Sequence, residues 1–194
     1  MLRLATSFIL GYHGCEATVA ERLLSGEAFR PSDNDYDWLG PGIYFWEANP
    51  RRGLEFFDEG ARRSGKNPTD AAVVGAVVEL GLCLDLTTSV GTSMMADAYL
   101  RLDELARSAR VSLPRNSDDL LRRNLDCAVI RYLHEVRSTL KEPRIDSVRG
   151  VFVEGDPIYP GAGVRAKTHV QICVCNPDMI RGIFRVPRSQ LRTV

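Results

Sequence analysis

Apolar residues along the chain fall into two kinds of pattern, which predict alternating strands and helices. Continuous or alternating apolar runs predict strands at 8–11, 71–86, 150–153, 168–175 and 181–186, and an aromatic strand after Gly42. Helical spacing of the apolar positions predicts helices at 16–24, 51–63, 94–109 and 118–140. The last two helices follow one another directly, so they form a helical insertion at about 92–141 between strand segments.

The order of these elements indicates the fold class. The helices are too few and too irregularly placed for repeated strand–helix units, which favours an α+β fold over a doubly wound parallel sheet. We expect one domain over residues 1–194, a length that suits a single globular unit.

Composition narrows the class of protein. Hydrophobic residues make up 44% of the 194 residues, charged residues make up 26%, and 25 basic side chains balance 25 acidic ones. No apolar run approaches the roughly 20 residues of a membrane-spanning helix, and the first residues do not resemble a secretory signal. These features predict a globular protein of the cytoplasm and exclude a membrane protein, a disordered chain and a strongly basic nucleic-acid coat.

The charges are unevenly distributed along the chain. Residues 1–60 carry a balance of −5, residues 101–149 a balance of +3, and residues 161–194 a balance of +5. Almost all the basic residues are arginines, whose planar guanidinium suits phosphate and carboxylate recognition. A GC-rich genome encoding solvated arginines explains the same composition, so the charge pattern alone assigns no partner.

The five cysteines indicate neither a disulfide framework nor a metal site. Their number is odd, no C-x-x-C pair occurs, and no histidine pair has zinc-ligand spacing. Cys173 and Cys175 alternate with apolar residues, as buried thiols on one face of a strand would. We expect reduced cysteines and no metal.

One glycine-rich segment imitates a dinucleotide-binding turn. Residues 161–166, Gly-Ala-Gly-Val-Arg-Ala, fit the pattern G-x-G-x-x-A, but prolines precede them and a strand-like run follows. The motif needs a strand before it and a helix after it, so that the pyrophosphate meets the helix N-terminus. The sequence therefore predicts a flexible loop here.

Three separated motifs carry candidate chemistry. The first is Tyr12-His13-Gly14, where the glycine lets a ligand approach the backbone. The second is Leu39-Gly-Pro-Gly-Ile-Tyr44-Phe, where glycines leave room for a flat ligand to stack on Tyr44. The third is the loop from Glu154 that leads to the strand carrying Gln171. Each motif alone also fits a structural domain in which His13 and Tyr44 are core residues.

Taken in order, these motifs resemble the catalytic domain of ADP-ribosyltransferases of the diphtheria-toxin and poly(ADP-ribose) polymerase type. His13-Gly-Cys with the following helix, Leu39–Glu47, Val74–Gly81 and Gln171–Ile180 resemble successive parts of that domain. The resemblance covers residues 8–86 and 150–186 and leaves the insertion outside it. It implies a split antiparallel β-sandwich with flanking helices, which uses NAD as co-substrate and passes ADP-ribose to an acceptor.

The resemblance also implies roles for particular residues. His13 would bind the adenosine ribose, the Gly14 backbone would hold the nicotinamide amide, and Tyr44 would stack on the nicotinamide ring. The catalytic residues would be Tyr44, Gln171 and His13. The loop 33–41 would cover the donor and the loop 154–168 would shape the acceptor site. Ser32, Gly42 and Arg52 are further candidate donor-binding residues.

The chain departs from this family at the third signature position, where Gln171 stands in place of the common Glu. A glutamine can accept a hydrogen bond from the ribose 2′-hydroxyl but supplies no charge against the developing ribosyl cation. Slower transfer, loss of chain elongation and use of another acid all remain open, with Glu154 and Glu47 the nearest acidic candidates by sequence.

Two functions from different classes follow. The leading one is a mono-ADP-ribosyltransferase acting on RNA, DNA or protein, and free-standing domains of this kind include toxins and defence effectors, with an antitoxin as a further partner. The other is a catalytically silent module that binds NAD or ADP-ribose, a reading that Gln171 keeps open.

Overall fold

The computed structural model describes residues 4–65 and 70–191, and within these ranges the chain forms six strands and four α-helices. The strands are β1 (Leu4–Glu16), β2 (Ile43–Glu47), β3 (Ala71–Asp85), β4 (Ser147–Phe152), β5 (His169–Val174) and β6 (Ile180–Arg185). The helices are α1 (Ala17–Leu24), α2 (Pro50–Arg63), α3 (Ser89–Ala109) and α4 (Asn124–Thr139). Short 3-10 helices occupy Pro177–Met179 and Arg188–Gln190.

The strands form one mixed sheet whose pairings close on themselves. The order is β1-β2-β5-β4-β3-β6, and the long strands β1 and β3 also pair with each other. The ring β1-β2-β5-β4-β3-β1 is therefore complete, and β6 lies outside it against β3. All of these pairings are antiparallel except the short β3–β4 pairing, which is parallel over Cys83–Asp85.

The inner face of the ring is filled by apolar side chains. Alternate residues of β2, β3 and β5 point inward, as the two-residue period of a strand requires. They form one buried cluster of Ile43, Phe45, Ala76, Val78, Leu80, Cys83, Ile172 and Val174. Packing on this face fixes which side of each strand is left for the outer surface.

The outer face of β2, β5 and β4 is covered by the helical segment between β3 and β4. Val129, Ile130 and Leu133 of α4 pack with Val148 and Cys173 of the sheet in a second buried cluster. α3 starts at the N-cap Thr88, whose hydroxyl accepts a hydrogen bond from the Gly91 amide at 3.1 Å.

The structure confirms the α+β class and corrects details of the sequence prediction. The sheet is not wholly antiparallel, because the C-terminal end of β3 pairs in parallel with the first half of β4, Ser147–Arg149. α3 begins five residues before the predicted Met94, at Ser89. α4 begins at Asn124 and not at Asp118. The Ser117 hydroxyl donates to the Arg122 carbonyl and accepts from the Arg122 amide, which closes a turn before the helix.

The segment that imitates a dinucleotide-binding turn is a loop, as predicted. It lies between β4 and β5, where Pro157 and Arg165 form an isolated bridge. A strand, β5, follows it instead of a helix. Residues 1–3, 66–69 and 192–194 of the predicted 1–194 domain lie outside the described residues.

Candidate functional site

His13 lies in β1 with one ring nitrogen fixed by the backbone of β2. Its Nδ1 lies 2.9 Å from the Tyr44 carbonyl oxygen, which can only accept, so Nδ1 carries the proton. The ring packs edge-on against Phe29, with centroids 5.2 Å apart, and is tilted against Phe45 at 5.8 Å. Burial lowers the pKa of His13, which favours the neutral imidazole.

The ring of His13 also lines a pocket of about 170 Å³. The other lining residues come from α1 and the segment after it: Val19, Arg22, Leu23, Glu27, Ala28, Phe29 and Arg30. A larger pocket of about 390 Å³ lies elsewhere, between α3, α4 and the end of β3, and includes none of the predicted site residues.

Gly14 is predicted to meet the ligand through its backbone, and in the structure its Cα faces α2. A Cβ at this position would lie 2.1 Å from the Gly53 carbonyl oxygen and 3.1 Å from the Phe57 Cβ. The absence of a side chain at Gly14 therefore allows β1 and α2 to approach closely.

Tyr44 is a largely buried residue whose hydroxyl holds the turn before β2. The hydroxyl accepts from the Leu39 amide at 3.0 Å and donates to the Gly40 carbonyl at 2.8 Å. Burial raises the Tyr44 pKa well above its usual value, so the hydroxyl stays protonated. Its ring packs with the cluster under α4. Tyr44 therefore faces the opposite side of β2 from Phe45 and His13.

Gln171 lies on the same face as Tyr44 and is 5% exposed. Its register partner in β2 is Trp46, while Cys173 pairs with Tyr44. The Gln171 Oε1 accepts a hydrogen bond from the indole nitrogen of Trp38 at 2.5 Å. The structure thus brings Tyr44 and Gln171 to one face of the sheet and covers them with residues 38–40.

The loop 33–41, predicted to cover the donor, is held at both ends. Ser32 pairs with Gly42 as an isolated bridge, and the Ser32 hydroxyl donates to the Asp37 carboxylate at 2.7 Å. Arg131 of α4 forms an ion pair with Asp33 at 2.5 Å. Ser32 and Gly42 therefore shape the loop through contacts with each other, and the helical insertion anchors it.

Arg52 is almost fully buried at the start of α2. Its Nη2 donates to the Glu154 carboxylate at 2.8 Å and lies 3.4 Å from Glu59. Lys167 also pairs with Glu59, at 2.7 Å. These ion pairs join α2 to both ends of the 154–168 loop. Glu154, one of the acidic candidates, is therefore close to the predicted donor residue Arg52.

The other acidic candidate, Glu47, lies in a different cluster. Its carboxylate accepts two hydrogen bonds from Arg149, at 2.6 and 3.1 Å. Arg149 also donates to Asp85 at 3.2 Å. The pairing ties β4 to β2 and β3.

Two residues beside Gln171 were not predicted as site residues from the sequence; they are Trp46 and His169. Both are buried, at 3% and 5% exposure, and their rings lie 6.1 Å apart. Trp46 lies two positions after Tyr44 and His169 two positions before Gln171, so the strand period places all four on one face. That period was the sequence signal that could have found them.

Several polar atoms of this region are buried without a hydrogen-bond partner in the described part of the chain. They are the Trp46 Nε1, the Arg52 Nε and Nη1, and the His169 Nε2. Buried polar groups are normally satisfied, so an unsatisfied group calls for a specific explanation, such as water or a ligand. We call Trp38, Trp46, Arg52, His169 and Gln171 the Gln171 cluster.

The cysteines are free thiols, as expected. Cys173 is fully buried in the apolar cluster under α4, and the partly buried Cys175 packs against that cluster. Within residues 4–65 and 70–191, no group of three or more His, Cys, Asp or Glu side chains is arranged to hold a metal ion.

The fold and site define an α+β protein with a ring-forming mixed sheet and a buried polar cluster on its outer face. The chain is 26% identical to an uncharacterized protein of Methanocaldococcus jannaschii, over 188 aligned residues that cover 88% of this chain and 83% of the relative. No protein-family profile matches the chain. No solved structure matches it either. In the described residues, no helix is long and apolar enough to cross a membrane.

Proposed function

We propose that the protein cleaves the nicotinamide–ribose bond of NAD and transfers ADP-ribose to a macromolecular acceptor. The observation that carries the proposal is the arrangement of the three motif strands. β1 with His13, β2 with Tyr44 and β5 with Gln171 are consecutive neighbours in the sheet, although they are distant in sequence. The His13 Nδ1 donates a hydrogen bond to the Tyr44 carbonyl oxygen at 2.9 Å.

The surroundings of these residues suit the two ends of NAD. The pocket beside His13 is lined by Arg22 and Arg30, whose guanidinium groups suit the pyrophosphate next to the adenosine ribose; Arg22 is paired with Glu27 of the same pocket at 3.1 Å. The unpartnered donors of Trp46 and Arg52 suit the polar groups of the nicotinamide ribose end.

The acceptor is proposed to be a nucleic acid or a protein. Exposed arginines lie at the end of α3 and in the segment leading to α4, namely Arg107, Arg110, Arg115 and Arg122. Such residues suit a phosphate-rich acceptor, because cationic side chains displace counterions from phosphates. Treatment of the labelled product with nuclease or with protease would identify the acceptor class.

Toxin or defence activity, with a neutralising partner, is the biological setting that the resemblance favours.

The test measures nicotinamide release and macromolecular labelling from NAD in a cell extract. The wild type is expected to do both. Tyr44→Ala should abolish both by removing the stacking ring. Tyr44→Phe retains the ring, loses only the hydroxyl bonds to Leu39 and Gly40, and should keep more activity than Tyr44→Ala. Tyr99→Ala, on the exposed face of α3, is the matched control. Melting curves of all three variants separate loss of the site from loss of the fold.

A second candidate function is a silent NAD-binding module. The Trp38 hydrogen bond favours it, because it occupies the carboxamide oxygen that a ribose hydroxyl would use. A silent module would be thermally stabilised by NAD without releasing nicotinamide. If NAD neither stabilises the protein nor is turned over by it, both functions are excluded.

A further inference from the structure

His169 combines burial with a fixed tautomer. Its Nδ1 lies 2.6 Å from the Lys167 carbonyl oxygen, so Nδ1 carries the proton and donates it to that bond. The neutral ring then has a lone pair on Nε2. That nitrogen is buried and has no hydrogen-bond partner in the described residues. The His169 Nε2 can therefore accept a proton from a bound molecule, because no described residue donates a hydrogen bond to it.

The groups around His169 favour its neutral form. Its ring stacks on Phe152, with centroids 5.5 Å apart, and contacts Trp46. Burial lowers its pKa most, and the Arg52 guanidinium of α2 lowers it further. The hydrogen bond to the Lys167 carbonyl and the Glu154 carboxylate, after β4, raise it. Arg123, before α4, lies over the far side of Phe152 at 4.4 Å from the ring centroid. The ring is therefore unprotonated near neutral pH.

We propose that His169 is the general base of the transfer reaction, taking the proton of the attacking nucleophile on Nε2. This inference rests on the proposed function. His169 and Gln171 are two positions apart on β5 and share one face, so a ribose held at Gln171 lies within reach of the His169 ring.

In the transfer step, one bond to C1′ of the ribose breaks and one bond to it forms. The bond between C1′ of the ribose and the nicotinamide nitrogen breaks, and its electron pair neutralises the pyridinium ring as nicotinamide leaves. A nucleophile oxygen forms a bond to C1′ and its proton passes to the His169 Nε2. The imidazolium then releases this proton to water. Gln171 cannot take this proton, since a carboxamide is not basic, so the two residues have separate roles.

A general base at His169 determines which kind of nucleophile can react. A general base accelerates attack by a neutral group that must lose a proton, such as a hydroxyl group or water. It gives no advantage to a carboxylate or a terminal phosphate, which attacks as an anion. We therefore assign a neutral hydroxyl-type nucleophile, with water as the simplest example.

A first test does not depend on activity. Nitrogen-15 NMR of the imidazoles in the wild-type protein should show His169 as the neutral Nδ1–H tautomer at pH 7, with a pKa below 6.5. Assignment uses His169→Asn, whose amide can still donate to the Lys167 carbonyl. A ring protonated at pH 7, or one carrying its proton on Nε2, would overturn the proposal.

The second test follows hydrolysis of NAD, in which water is the nucleophile. His169→Asn should lower the rate about 100-fold or more, a typical contribution of general base catalysis. The wild-type rate should rise with pH up to the pKa of His169 and then level off, and this dependence should disappear in the variant. His134→Asn, in α4, is the matched control and should retain the wild-type profile.

Azide separates a lost base from a damaged site. As an anion it has no proton to lose, so it should restore nicotinamide release by His169→Asn and form the azide adduct of ADP-ribose. An unchanged rate and pH profile in His169→Asn, with an active wild type, would overturn the base and leave the proposed function intact. If the wild type neither cleaves NAD nor is stabilised by it, the proposed function is overturned, and so is the role of His169 as its general base.

Discussion

Gln171 shows how one side chain separates two chemical roles that a carboxylate would combine. Its oxygen already accepts a short hydrogen bond from Trp38, so the carboxamide is oriented by the loop that covers it. A carboxylate would accept the same bond and would add a negative charge. Gln171 therefore preserves the geometry of the position and omits the charge.

Replacement of Gln171 tests this separation under the proposed function. In Gln171→Glu, the rate of NAD hydrolysis should persist or rise. A carboxylate a few ångströms from the developing ribosyl cation stabilises that cation by about 1–4 kcal/mol. Steady-state nicotinamide release measures it. Gln190→Glu makes the same charge change at an exposed position and should leave the rate unaltered. A sharp fall in Gln171→Glu with a normal melting temperature would show that the position requires a neutral amide.

The two histidines fixed by backbone carbonyls make stability depend on pH. The pKa of His13 and of His169 is lowered in the fold, so the unfolded chain binds more protons just below pH 6.5. Their contribution is complete above pH 6.5 and is lost as the pH falls through the folded pKa. The free energy of unfolding, from urea titrations at pH 7.5 and 5.5, should therefore be lower at pH 5.5. His13→Asn should reduce that difference, and an unchanged difference would contradict the argument.

At the scale of elements, the contact between β1 and α2 depends on two glycines. Gly14 faces the carbonyl of Gly53, and α2 follows β2 after only two residues. The helix therefore lies directly against the strand that carries His13. This contact sets the distance between the His13 motif and the N-terminal turn of α2, where Arg52 lies.

A side chain at Gly14 should disrupt this contact. Gly14→Ala would place a methyl group 2.1 Å from a backbone oxygen, and overpacking of this kind costs about 1–3 kcal/mol or more. Gly60→Ala, later in α2, meets nothing within 4 Å and should stabilise by about 0.5–1 kcal/mol. Urea unfolding compares the two variants. Equal effects would mean that the close approach has no energetic importance.

Sequence pattern predicted the elements better than their arrangement. Apolar periodicity located β3, α2 and β5 to within a residue or two, since each has a clear apolar face or run. The pattern does not encode which strands are neighbours. β5 lies between β2 and β4 because of tertiary packing, and this alone brings Trp38 to Gln171 across 133 residues of sequence.

At the scale of the whole molecule, Arg149 joins three strands of the ring. Its guanidinium binds Glu47 of β2 with two nitrogens and Asp85 of β3 with a third. The side chain is 21% exposed, so the pairs are only partly screened by solvent. This cluster supports the short parallel pairing of β3 with β4 that completes the ring.

Removing the Arg149 charge should weaken the whole fold. Arg149→Met leaves two facing carboxylates without their cation, and we expect a loss of about 1–3 kcal/mol after allowing for partial exposure. Arg181→Met breaks the more exposed pair with Glu79 and should cost less than about 1 kcal/mol. Cooperative urea unfolding measures both. A larger effect at Arg181 would show that ring closure does not depend on Arg149.

The helical insertion influences the candidate site through the loop it anchors. Arg131 of α4 holds Asp33, and the Cys127 thiol is 3.5 Å from the Asn34 carbonyl. The same loop carries Trp38 and the Leu39–Gly40 turn that cover Gln171 and Tyr44. The segment outside the family resemblance is therefore connected to the residues inside it.

This cover has a kinetic consequence. A ligand that must displace Trp38 before it reaches Gln171 binds in two steps, loop opening followed by association. The observed binding rate would rise with ligand concentration and then level off at the rate of opening. The apparent dissociation constant would exceed the intrinsic one by the inverse of the open fraction. Weak overall affinity would then measure the free energy that keeps the loop closed, and not a poor fit between ligand and site.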